Sequence, residues 1–115
     1  MEITLSDYGD LGKRVTLVGR LDILGAGKID MPLKELADSK TNIVVDMSGV
    51  DFIASLGMRS FVLAAKALLP NGRVLVLLNP TPLVADALTK AGLHALLPMV
   101  QGEPEARALL SRYAT

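Results

Sequence analysis

The chain predicts an α/β fold in a single domain, and three observations carry that reading. Strand-like and helix-like segments alternate along it with short connections between them. Two continuous apolar runs, residues 43–47 and 74–78, are bounded by turn residues, as central strands buried on both faces require. With 115 residues there is material for one core and little for a second, and no repeat, linker or low-complexity tract divides it.

Taken in order, residues 2–6 and 15–19 alternate or run apolar around Tyr8-Gly9-Asp10, which predicts an early hairpin. The first helix is interrupted on paper: Gly25, Gly27 and Pro32 lower its propensity, and an interior proline costs about 3 kcal/mol. A loop is therefore expected through Gly27, with a regular helix only over residues 30–37, Asp30 capping it and Pro32 in its first turn. The stretch from Ile43 to Met58 reads as a buried strand, a tight turn, and then Ser55 at the start of an apolar helix. Strand 74–78 follows. Thr81-Pro82 supplies a cap and a proline at the first helical position, Leu83, Val84, Ala87, Leu88 and Ala91 form one face, and Gly92 closes the end. Residues 96–100 predict a short last strand, confined to an edge by Pro98, and Pro104 sits where a final helix over residues 103–113 begins.

Ser55 is where chemistry enters. A serine at a helix start caps free backbone N–H groups with its hydroxyl, and those groups, with the positive end of the helix dipole, accommodate a phosphoryl group if a kinase delivers one. That describes a switch, not an enzyme. On a wheel of the following helix, Met58, Phe61, Val62, Ala65, Leu68 and Leu69 share the side expected to face the core. Leu56, Ser60, Leu63 and Ala67 lie opposite, flanked by Arg59 and Lys66. Singly exposed leucines are common on any surface, but two stacked beside Ser55 make a candidate docking stripe.

The segment Val44-Val45-Asp46-Met47-Ser48-Gly49-Val50-Asp51-Phe52-Ile53-Ala54-Ser55-Leu56-Gly57 resembles the core of the STAS family, in particular its stand-alone anti-sigma factor antagonists. Gly19-Arg20-Leu21-Asp22 resembles the family's turn after an early strand, and Asn79-Pro80-Thr81-Pro82-Leu83-Val84 through Gly92-Leu93 its late strand-to-helix unit. The resemblance spans nearly the whole chain. It implies a STAS-type domain with a mixed, mostly parallel sheet of four to five strands and about four helices, and it places Ser55 on the family's phosphorylated serine. One departure is clear: Ala54 stands where the family usually carries aspartate. The partners implied are an anti-sigma factor with serine kinase activity and a serine phosphatase, with ATP and Mg²⁺ belonging to the kinase and no cofactor to this chain. The expected partner surface is Asp22, Ile23, Ala54, Ser55, Leu56, Gly57, Arg59, Ser60 and Leu63. The resemblance also places Asp22 and Asp46 near the serine, in a secondary role in positioning the loop or the incoming phosphate's metal.

Composition removes several other classes. Twelve basic residues balance twelve acidic ones, and aromatics are only 3%, so no electrostatic or stacking footprint for nucleic acid exists. Cysteine is absent, which removes disulfide scaffolds and thiolate metal sites and is compatible with a reducing cytoplasm. The longest apolar stretch, residues 61–69, is broken by Lys66 and too short to span a bilayer, and the first residues lack the order of a secretion signal, so a cytoplasmic location is expected. Two rivals stay open: a non-phosphorylated STAS accessory subunit of a transporter or scaffold complex, and a small serine hydrolase. The hydrolase would need Ser55 and the lone His94 in a triad, yet Ile53 stands where a nucleophile elbow needs glycine. Asp22, Asp46 and Asp51 are ordinary at strand ends and turns. Neither the glycines at 9 and 12 nor Gly72-Arg73 lead into the lysine of a phosphate loop.

Overall fold

The structure is a computed structural model, and it describes residues 1–113. Ten strands and helices follow one another as β1 (Glu2–Tyr8), β2 (Gly12–Leu21), α1 (Ile23–Asp38), β3 (Ile43–Ile53), α2 (Ser55–Leu68), a 3-10 turn (Leu69–Asn71), β4 (Leu75–Leu78), α3 (Pro82–Lys90), β5 (Met99–Val100) and α4 (Glu103–Leu110). The five strands form one sheet in the order β1-β2-β3-β4-β5. β1 is antiparallel to β2, and the remaining pairs are parallel, which gives the mixed, mostly parallel sheet of an α/β domain.

Strand alternation divides the core in two. Val15, Leu17, Ile43, Val45, Met47, Leu75 and Leu77 point to the face covered by α1, α2 and α3, where Ile29, Leu33, Phe61, Leu68, Val84 and Leu88 meet them. Val44, Val74, Val76 and Leu78 point to the other face, where Ala106 and Leu110 of α4 and Tyr8 of β1 cover them. The hairpin, the buried β4, the edge position of β5 and the Thr81 cap on α3, where the hydroxyl accepts from Val84 N at 3.4 Å, follow expectation.

Three expectations fail. The first helix begins at Ile23, not near residue 30, and Pro32 lies in its interior. Asp22 caps it, its Oδ1 accepting from Gly25 N at 2.9 Å. Gly25 does not break the helix but lets it start: a Cβ there would meet the Arg20 carbonyl oxygen at 2.2 Å. The cost of Pro32, about 3 kcal/mol, is matched or exceeded by burial of Ile29 and Leu33, each worth about 1.5–3 kcal/mol and each 1% exposed. Secondly, the tight turn expected between Met47 and Ser55 is mostly strand: β3 runs to Ile53, and two register shifts against β2 place an extra β3 residue at each, the mark of bulges. Asp46 uses its side chain locally, Oδ1 accepting from Ser48 N at 3.1 Å and Ser48 Oγ at 2.8 Å. Thirdly, the expected last strand over 96–100 shrinks to Met99–Val100, because Pro98 directly precedes it and has no N–H to give the ladder.

Candidate functional site

Parallel pairing puts the ends of β2, β3 and β4 at one edge of the sheet, so the helices that follow them start there too. Leu21 lies opposite Ile53, and Ala54 N donates to the Leu21 carbonyl at 2.8 Å, which brings the Asp22 and Ser55 turns together. The first turn of α2 presses on both strand ends. Gly57 allows this, since a Cβ would stand 3.1 Å from Leu21 Cβ and 3.3 Å from Ile53 Cγ1. Thr81, just before α3, donates its hydroxyl to the Val50 carbonyl at 3.3 Å, joining the third helix start to β3.

Ser55 is the first helical residue, not the cap. The cap position belongs to Ala54, extended at φ −99° and ψ 171°, with no side chain to bond the helix end. The first intrahelical bond runs from Met58 N to the Ala54 carbonyl at 3.1 Å. Ser55, Leu56 and Gly57 therefore begin α2 with N–H groups that have no partner inside the helix. Ser55 is exposed beside them. An anion on its oxygen meets the positive end of a 14-residue helix.

Exposed apolar side chains follow the strand ends: Leu56, next to Ser55, is 43% exposed, Ile23 at the start of α1 69%, and Leu83 at the start of α3 65%, while Leu24, 78% exposed, lines a cleft with Met1, Arg20 and Lys28 on the side of β1. Leu63 (53%) continues the stripe down α2. The exposure of Leu24 and Leu83 has no local signal: Gly25, Gly27 and Pro32 mask the helix that carries the first, and the second shares the apolar stripe of Val84, Ala87 and Leu88.

Other expected site residues fall elsewhere. Gly57 and Ser60 are buried, and Ser60 donates its hydroxyl to the Asp30 carboxylate of α1, so it joins two helices beneath the surface. Asp30 accordingly faces α2 and caps nothing. Leu69, expected in the core, is 47% exposed in the 3-10 turn, while Met58 and Val62 are only half-buried. The buried face of α2 consists of Gly57, Ser60, Phe61, Ala64, Ala65 and Leu68. Arg59 is exposed. Asp46 is not near the serine: it precedes the end of β3 by seven residues, about 20 Å of strand, and pairs with Arg14 at 3.6 Å. His94 is exposed in the turns beyond the far end of α3, whereas Thr81 at its near end reaches Val50. The helix separates it from Ser55, and no triad forms. Among the described residues no group of three His, Cys, Asp or Glu side chains is placed to hold a metal ion, and no helix is long and apolar enough to cross a membrane.

A family model for the STAS domain matches residues 9–106. No curated protein matches the chain in sequence. Among solved structures the fold is similar to an anti-sigma factor antagonist from Mycobacterium paratuberculosis, with a TM-score of 0.85 at 16% identity, covering 96% of this chain and 93% of that one. It is similar to the antagonist SpoIIAA in its unphosphorylated form, with a TM-score of 0.78 at 20% identity and 96% of each chain covered. The phosphorylated form of the Bacillus cell fate determinant SpoIIAA gives 0.71 at 19% identity, over 93% of this chain and 96% of that one.

Proposed function

The chain belongs to the STAS domain family, and on that premise we propose that it is an anti-sigma factor antagonist of a partner-switching pathway, a binding module and not an enzyme. Unphosphorylated, it binds an anti-sigma factor that has serine kinase activity and frees that factor's client. Phosphorylation of Ser55 by the same kinase ends the binding, and a separate serine phosphatase restores it. The observation that carries this reading is the exposed Ser55 at the first position of α2, with the exposed Leu56 beside it and Ile23 opening the helix that starts at the neighbouring strand end. Asp22 and Ala54 shape this rim, and Arg59 and Leu63 extend it along α2, while Gly57 and Ser60 support it from below.

Magnitudes favour a switch made by one modification. A phosphoryl group adds about −1.5 to −2 charges. At the helix start it is locally favourable by about 0.3–1 kcal/mol, so α2 stays folded. A hundredfold loss of affinity needs about 2.7 kcal/mol, which desolvating a dianion against an apolar interface supplies. The test is incubation with candidate anti-sigma factor kinases of the same genome and ATP, followed by mass spectrometry. Phosphate on Ser55 supports the proposal. A protein that binds its partner and is never phosphorylated there belongs instead with accessory subunits, a reading that Ala54 favours because it lacks the carboxylate usual beside the serine.

A further inference from the structure

β1 is the outermost strand of the sheet and pairs on one side only, with β2. In an antiparallel pair, alternate residues turn their backbone N–H and C=O groups toward the neighbour and the residues between turn theirs away. Seven residues thus present an outward row of donors and acceptors about 24 Å long. Proteins blunt such an edge with a short strand, a proline, a bulge, charged side chains or a covering element. β1 is seven residues long, without proline or bulge: its register with β2 is unbroken from Glu2 to Tyr8, and its only charges, Glu2 and Asp7, stand near its ends and leave residues 3–6 uncharged. Asp7 is already engaged by Lys13. The opposite edge, by contrast, is the two-residue β5 next to Pro98.

Side chains give this edge a definite partner. Ile3 packs half-buried against the core under the helices, and Leu5, on the same face, is 53% exposed. Glu2, Thr4 and Ser6 lie on the other face, all exposed. We infer that β1 is a dimerisation edge whose occupant is β1 of a second copy, antiparallel about a two-fold axis at Thr4. A two-fold axis through the sheet must fall on a residue, because paired residues share a face. Centred on Thr4, the register sets Ile3 opposite Leu5 of the second copy at both ends, Glu2 opposite Ser6, and the two threonines opposite each other. Over residues 2–6 the apolar side chains meet apolar side chains, the threonine hydroxyls meet each other, and no like charges oppose, while Asp7 faces Met1, which lies ahead of the strand. Centring on Ile3 would pair only residues 2–4 of the strand, centring on Leu5 would set Ile3 against Asp7, and centring on Ser6 would set Leu5 against Asp7. Ser55, which follows β3 two strands away, stays open in both copies.

The chain has no cysteine, so single cysteines report proximity cleanly. Across an antiparallel pair the Cα atoms are about 4.5 or 5.5 Å apart, within the span a disulfide bridges. Thr4→Cys should therefore oxidise to a covalent dimer. Ser6→Cys should not, because its two copies are offset by four residues, about 14 Å. In sedimentation the wild type at micromolar concentration should have about twice the 12.2 kDa chain mass, and Leu5→Lys should be a folded monomer by circular dichroism. A monomeric wild type, a dimer that survives Leu5→Lys, or equal cross-linking of the two cysteine variants would overturn the inference. The cysteine pair decides the matter even if Leu5→Lys unfolds.

Discussion

Ser55 shows how one residue position separates stability from signalling. Because its hydroxyl lies one step past the cap, Ser55→Ala loses no capping bond, and its unfolding free energy should stay within about 0.5 kcal/mol of wild type. The loss of about 0.5–2 kcal/mol expected of a true serine cap in urea denaturation would show that Ser55 supports the helix after all. Ala54 is the complementary case. It already has the extended backbone of a cap residue and lacks only the acceptor, so Ala54→Asp should stabilise the fold by about 0.5–2 kcal/mol. It should also change the rate of Ser55 phosphorylation, since it places a carboxylate beside the target hydroxyl. Equal single-turnover rates for the two proteins would make the departure at position 54 functionally silent. At Gly25 the backbone decides. A methyl group against the Arg20 carbonyl should cost about 1–3 kcal/mol of overpacking, outweighing the gain of up to about 1 kcal/mol in helix propensity, and Gly25→Ala should lower the melting midpoint.

At the scale of elements, the faces of α2 yield a paired prediction. Phe61 is fully buried, so Phe61→Ala should cost about 3–5 kcal/mol while leaving the outer surface intact. Leu63 is half exposed, so Leu63→Ala should change stability by no more than about 0.5 kcal/mol and weaken partner binding. Strong destabilisation by Leu63→Ala in thermal melting would mean that it is a core residue. Both readings of α2 placed Phe61 inside and Leu63 outside, because the 3.6-residue period is local information. Ser60 was misplaced for a different reason: α2 packs against α1 as well as the sheet, so its buried arc is wider than one stripe, and a wheel cannot say which polar residue finds a partner such as Asp30 thirty positions away. The same limit explains α1. Gly25 and Pro32 spell interruption by propensity, yet the close approach to Arg20 and the burial of Ile29 and Leu33 are tertiary facts that override it. The bulges of β3 had no sequence signature beyond an aspartate and glycine that read equally well as a turn.

For the molecule as a whole, the strand order is what builds the site. Three parallel strands end at one edge, so the chain segments at Asp22, Ser55 and Thr81, far apart in sequence, open three helices from the same end of the sheet and leave Ile23, Leu56 and Leu83 exposed in their first turns. The alternation of elements and the family-like stretch through Ser55 made the fold and the serine legible; the breadth of the apolar rim was not, since it depends on where a helix misread as a loop begins. The central claim is that phosphate on Ser55 ends the binding that this rim provides. Calorimetric titration of the anti-sigma factor kinase with unmodified protein, Ser55→Ala and the Ser55-phosphorylated form tests it most directly. The first two should bind with equal affinity, and the third at least a hundredfold more weakly, about 2.7 kcal/mol. Equal affinity for all three forms would contradict it.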